Sequence, residues 1–91
     1  MPTPRGGVAA AVVGEKIYVI GGEGNPDDET GVWDDVEVYD TVTNTWERLD
    51  PMAVPRHGMG AAAIGNRIYV PGGATREGFG VVDTFDVFTV E

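Results

Sequence analysis

Apolar positions in this chain fall in short runs broken by glycine. Residues 8–13 are small and apolar, Gly14-Glu15 interrupts, and residues 17–20 (Ile-Tyr-Val-Ile) are apolar at consecutive positions before Gly21-Gly22. Gly followed by a polar residue between two apolar runs reads as a two-residue hairpin turn. A run apolar on both faces reads as a strand covered on both sides. A polar loop over 23–31 follows, and the chain re-enters a strand near Val32, where Val36 and Val38 alternate with Glu37 and Tyr39. Residues 40–44 carry Asp, Thr and Asn, which bond their own backbone and form turns. Residues 46–49, led by Trp46, form a short outer strand. A helix over the Ala-rich 8–13 stretch is the competing reading. It loses because Gly14 follows at once, with β-branched and aromatic residues beyond it.

The same order then returns. Pro4-Arg5-Gly6-Gly7 matches Pro55-Arg56-His57-Gly58 at an offset of 51, and Ile17-Tyr18-Val19 matches Ile68-Tyr69-Val70 at the same offset. Val36-Glu37-Val38-Tyr39 matches Phe85-Asp86-Val87-Phe88 at an offset of 49, so two residues are lost from the loop after the second Gly-Gly. Self-similarity with a period near fifty marks a repeat architecture. The expected strands of the second unit cover 59–64, 68–70 and 82–90, for a count of seven in the chain, with 82–90 as an exposed outer edge.

Pro-Arg before a small-residue strand, then Ile-Tyr-Val-Ile-Gly-Gly, then Val-Tyr-Asp and Thr-Asn-Thr-Trp, resembles the kelch repeat. The first copy, 1–50, carries the full pattern in Gly21-Gly22, Tyr39 and Trp46. The second, 51–91, has Pro71 for Ile20 and Phe88 for Tyr39, and reaches no Trp strand. The resemblance implies an all-β chain of two propeller blades, the second lacking its outer strand. A blade is covered on both faces by neighbouring blades, so two alone leave apolar faces in water. Exposing about 600 Å² of such surface forfeits about 15 kcal/mol. That exceeds the about 5–10 kcal/mol that holds so small a domain together. The chain is therefore expected to assemble with itself, head to tail, as a homotrimer closing a six-bladed ring.

Composition removes several function classes. Fifteen acidic against six basic residues give a net charge of −9, which repels nucleic-acid phosphates. No stretch is long and apolar enough to span a membrane. With no cysteine there is no disulfide, thiolate site or thiol nucleophile, and without a signal peptide a cytoplasmic setting is favoured. No serine is present, which removes a serine nucleophile.

The chemistry that remains is sparse. Asn25, Asp27, Asp28 and Glu29 crowd one loop, but lack the spacing of a calcium loop, and no cofactor or metal is expected. Arg5 and Arg56 occupy equivalent places, and in a trimer they are expected to ring the channel mouth with six guanidiniums; an inter-blade hydrogen-bonding role is the plainer reading. The loop-end residues form the expected contact face: Arg5, Arg56, His57, Glu23, Asn25, Asp27, Asp28, Trp33, Thr75 and Arg76. The function expected from the resemblance is a protein- or peptide-binding or structural scaffold. Its rival is a sugar or small-acid epimerase or lyase using Arg5, Arg56, His57 and Glu23.

Overall fold

A computed structural model describes residues 3–76 and 79–90. Residues 1–2, 77–78 and 91, into which the expected N-terminal linker, the second Gly-Gly loop and the last strand's flank extend, lie outside the described residues. All regular structure among the described residues is β, in antiparallel pairs. The first sheet has the order β1-β2-β3-β4, from Ala9–Val13, Lys16–Ile20, Val36–Asp40 and Thr45–Arg48. The second has the order β5-β6-β9, from Ala62–Ile64, Arg67–Pro71 and Phe85–Thr89. A two-stranded ribbon, β7 (Ala74–Arg76) with β8 (Phe79–Val81), lies in the loop after the second Gly-Gly.

The expected turns form where the glycine and Asx chemistry demands them. Gly14, with nothing near its missing side chain, turns β1 into β2 at φ +60°. Between β3 and β4, Asp40 Oδ1 accepts the Val42 and Thr43 N–H groups at 2.9 and 3.2 Å, and the Tyr39 hydroxyl donates to Asn44 Oδ1. These backbone bonds to Thr43 and Val42 hold the Asp40 carboxyl below its ordinary pKa of 3.8. A carboxyl depressed in the folded state adds stability above its unfolded pKa and loses it as pH falls through the folded one. Thermal stability should therefore drop with acid below about pH 4. Asp40→Asn, which keeps an acceptor but cannot titrate, should flatten that slope in melts at successive pH values; an unchanged slope contradicts the assignment.

Three strand expectations are corrected. The count of seven becomes nine among the described residues, because Thr75 and Val81 place β-forming residues in a loop that, unlike 23–31, contains no proline. The stretch around Val32 makes only one isolated bridge, to Glu23, and β3 begins at Val36. Strand β5 covers 62–64 rather than 59–64: Met59 leaves the strand path and turns into the core, where it is buried.

The register sets one face of the first sheet against the second sheet. Ile20 lies between Ala9 and Val36, and Tyr18 between Ala11 and Val38, and all six are buried. They pack against Ile68 and Val70 of β6, both 0% exposed, with Met52 and Met59 filling between and Phe88 and Val90 at the edge. The core of the molecule is thus the seam between its two larger sheets. The Ala-rich β1 fits there because its small residues let β5 approach it.

Candidate functional site

Each of the two larger sheets is braced by one buried arginine. Arg5 lies ahead of β1, and its side chain is fully buried against the carbonyl ends of its own sheet. Nε donates to the Thr3 carbonyl at 3.3 Å, Nη1 to the carbonyls of Gly21 and, at 2.9 Å, Asp35, and Nη2 to Glu37 Oε1 at 2.7 Å. Arg56 repeats the arrangement one unit later. Its Nε donates to the Val54 carbonyl at 3.3 Å, its Nη1 to those of Gly72 at 2.6 Å and Thr84 at 3.1 Å, and its Nη2 to Asp86. These four partners fall at the repeat offset of 51 or 49; a fifth, the Val70 carbonyl at 3.3 Å from Nη1, belongs to Arg56 alone. The planar fork of a guanidinium is what joins two strand ends and the segment ahead of the sheet at once, which an ammonium cannot do.

The main chain of Arg56 then ties the second sheet to the first. Its carbonyl accepts the Gly22 N–H at 2.9 Å, and one residue further the Gly58 N–H donates to Gly7 at 2.7 Å. Gly21 must be glycine for this approach: it sits at φ +66°, and a Cβ there would collide with the Arg56 carbonyl oxygen. The Pro-Arg and Gly-Gly phrases are therefore two halves of one joint. The side chain braces its own sheet and the backbone grips the preceding one.

At the loop end, Glu23, His57 and Arg76 come together. His57 Nδ1 lies 3.2 Å from Glu23 Oε2, and Nε2 donates to the Arg76 carbonyl at 2.7 Å. Glu23 and His57 are half-buried and Arg76 is exposed. Thr75 stands beside them in β7, its hydroxyl donating to the Gly80 carbonyl at 3.3 Å. In the 23–31 loop, Asn25 Oδ1 accepts the Asp27 N–H at 3.0 Å, and Asp28 Oδ1 accepts the Thr30 N–H and hydroxyl at 2.8 and 2.6 Å. Those bonds with Thr30 hold the Asp28 carboxyl below its ordinary value. Asp27 and Asp28 are exposed, and Trp33 is half-buried with an indole N–H that is buried and has no hydrogen-bond partner.

Two of the expected contact residues are thus misplaced. Arg5 and Arg56 have no exposed side-chain surface and form no ring of charge at a channel mouth, because strand-end carbonyls and the acids Glu37 and Asp86 draw both guanidiniums inside. The expected acid/base set is also broken up: His57 and Glu23 meet, but neither guanidinium is presented with them. The residues that sequence reasoning missed are Glu37, Asp35 and Asp86. The signal was present, since an acid recurs at 37 and 86 just as arginine recurs at 5 and 56. Among the described residues no group of three or more potential metal ligands is found, and no helix is long and apolar enough to cross a membrane.

Antiparallel sheets stacked face on face, each opened by a buried arginine and joined to the next through Gly-Gly, define a blade-repeat protein. The family model for the Kelch motif matches residues 4–53, and the chain belongs to the kelch-repeat family. It is 42% identical over 73 residues to Kelch-like protein terF of Aspergillus terreus, a match covering 80% of this chain and 16% of that protein. It is 45% identical over 75 residues to Kelch-like protein 25 of Homo sapiens and 43% identical to that of Xenopus laevis, each match covering 82% of this chain and 12% of the relative. The chain therefore spans only a small part of the length of the curated relatives it matches.

Proposed function

We infer that the chain is a protein-interaction module, a two-blade sector that closes with two further copies into a six-bladed ring and presents its loop end to protein or peptide partners. The observation that carries this reading is the match between the two outer flanks and the two sides of the covered seam. On the outer face of β5, β6 and β9 lie Ala62, Ile64, Tyr69, Phe85 and Val87. These are the repeat equivalents of Ala11, Val13, Tyr18, Val36 and Val38, which line the seam. On the far face of the first sheet, Ile17 and Val19 repeat as the seam residues Ile68 and Val70, and Tyr39 repeats as Phe88. One flank of a copy therefore complements the opposite flank of the next, a heterologous contact that forms a ring when the rotation closes.

On the second sheet exposure agrees with that assignment: Ile64 is 69% exposed, Phe85 57% and Val87 48%, where the equivalent seam residues Val36 and Val38 are 3% and 5% exposed; on the far face of the first sheet Ile17 and Tyr39 are half-buried and Val19 is buried. Contiguous apolar surface of this kind marks an interaction site. The contact face for other proteins is the loop end holding Glu23, Asn25, Asp27, Asp28, His57, Thr75 and Arg76. Its exposed Asp27, Asp28 and Glu29 favour a cationic partner surface, and a role in protein binding rests on fold-level analogy.

Phe85→Glu tests the assembly. Phe85 is more than half exposed in a single chain, so the charge should leave each sector folded while placing a carboxylate in the copy-to-copy seam. The variant is expected to run at the single-chain mass of 9.6 kDa with an unchanged circular dichroism spectrum. A variant assembling as the parent does would overturn the head-to-tail reading.

A further inference from the structure

His57 and Glu23 meet across the seam from different units. Glu23 is fixed to the first unit by a two-way backbone bridge: its N–H donates to the Gly6 carbonyl at 2.8 Å, and its carbonyl accepts the Gly6 N–H at 3.1 Å. His57 is fixed to the second unit by a matching bridge with Ala74, at 3.0 and 2.9 Å. The two bridges are repeat equivalents, since Gly6 corresponds to His57 and Glu23 to Ala74 at the offset of 51. Gly6 and Ala74 carry no titratable side chain. The His57–Glu23 pair is therefore a feature of this seam and not of the repeat.

Both ring nitrogens of His57 face acceptors. Nε2 meets the Arg76 carbonyl at 2.7 Å, and Nδ1 lies 3.2 Å from Glu23 Oε2. A neutral imidazole has one N–H and an imidazolium two. In the neutral ring the proton stays on Nε2, at the shorter contact, and the Nδ1 lone pair then faces an anionic oxygen. Both contacts are favourable together only in the imidazolium. The pair is partly shielded from water, with 12% of the His57 side chain and 32% of that of Glu23 exposed. Gly7 packs against it: a Cβ there would stand 3.0 Å from Glu23 Oε2 and 3.5 Å from His57 Nδ1. Of the other charged residues around the ring, Arg56 and Arg5 turn their guanidiniums into their own sheets, onto Asp86 and Glu37. Arg76 meets the ring through its main chain. With Nε2 committed to that carbonyl and Nδ1 to Glu23, the ring has no nitrogen left to serve a substrate as a base.

We propose that His57 and Glu23 form a pH-operated clasp between the two units. It is closed while His57 is an imidazolium. Loss of the Nδ1 proton releases the Glu23 carboxylate and leaves the seam to its backbone and apolar contacts. The clasp adds stability on the acid side of the range in which histidine ordinarily titrates, about pH 6–7, and that contribution is lost as pH rises through it. Its sign is opposite to that of Asp40, whose contribution is lost in acid. The pair lies within one chain, so the clasp works whether or not copies assemble.

Urea unfolding of the 91-residue chain and of Glu23→Gln, at one chain concentration and at about pH 5.5 and about pH 8.5, tests the clasp. At the lower pH the variant is expected to have an unfolding constant about threefold above the parent's, the effect of one partly shielded pair. At the higher pH the gap should close or reverse, since a glutamine amide can donate to the Nδ1 lone pair. Arg76→Gln keeps the main-chain carbonyl and removes the charge, and should leave the parent's pH dependence in place. The same ratio at both pH values, or a pH dependence that disappears in Arg76→Gln, would overturn the proposal. Nitrogen NMR of the unmodified chain reads the ring directly, because His57 is the only histidine. At the higher pH the remaining proton is expected on Nε2. A neutral ring protonated at Nδ1 would keep its contact with Glu23, and would overturn the clasp without any substitution.

Discussion

Replacing Arg56 by leucine is expected to cost about 3–5 kcal/mol, the usual consequence of removing one partner from a buried ion pair. The guanidinium is fully buried and is the shared donor to the Gly72 and Thr84 carbonyls and to Asp86. Leucine fills part of the volume but leaves the Gly72 carbonyl without this donor and Asp86 without its counter-charge, while the Thr84 carbonyl keeps only the Gly72 N–H, at 2.6 Å. Against a total of about 5–15 kcal/mol for a small domain, that is a large share of the stability and should show as a clear drop in the unfolding midpoint. Lysine at 56 should recover only part of the loss, because one ammonium cannot reach both strand ends and Asp86 together. Arg48→Ala is the control. Arg48 also pairs with an acid, Asp35 at 3.2 Å, but 64% of its side chain is exposed. Pairs of that kind contribute less than about 1 kcal/mol. Urea unfolding of the three variants should rank them Arg56→Leu, Arg56→Lys, Arg48→Ala in decreasing damage. Equal losses at 48 and 56 would show that the buried fork is not what holds the strand ends.

Gly21→Ala is expected to destabilise by about 3 kcal/mol, the sum of a left-handed backbone imposed on a residue with a side chain and an overpacked contact. The new methyl would meet the Arg56 carbonyl oxygen, with Met59 Cε at 2.8 Å and Met52 Sδ at 3.1 Å. The methionines can move aside. The carbonyl cannot, because it is held by the Gly22 N–H at 2.9 Å. Gly14→Ala separates the two contributions: Gly14 has nearly the same positive φ but nothing within 4 Å of its added methyl. It should lose only the conformational part, about 1–2 kcal/mol. Denaturant midpoints for the pair give the answer, and an alanine at 21 no worse than one at 14 contradicts the close approach at the seam.

Much of this architecture was legible because it is written twice. The hairpin turns at Gly14 and Gly65, the Asx turn at Asp40 and the strands around Tyr18, Val38, Trp46 and Tyr69 follow from local patterns that recur in register. The β7–β8 ribbon was missed because its polar, glycine-bearing stretch has a loop's composition. Only its pairing register, Ala74 with Val81 and Arg76 with Phe79, makes it a hairpin. The arginines were misread for a different reason. Charge in a sequence reads as surface, whereas Arg5 and Arg56 are drawn inward by carbonyls from strand ends 16 to 30 residues away. No local window contains those partners. The loop end was read well enough to bring His57, Glu23 and Arg76 to one place, but not to show that Asn25 and Asp28 spend their oxygens on their own loop.

The central claim is that the outer flanks of this two-blade sector are seam surfaces awaiting neighbours. Sedimentation equilibrium of the unmodified 91-residue chain over a dilution series tests it most directly. A species of three times the 9.6 kDa chain mass is predicted, dissociating only on dilution. A folded, cooperative, single-chain species at every concentration would contradict it.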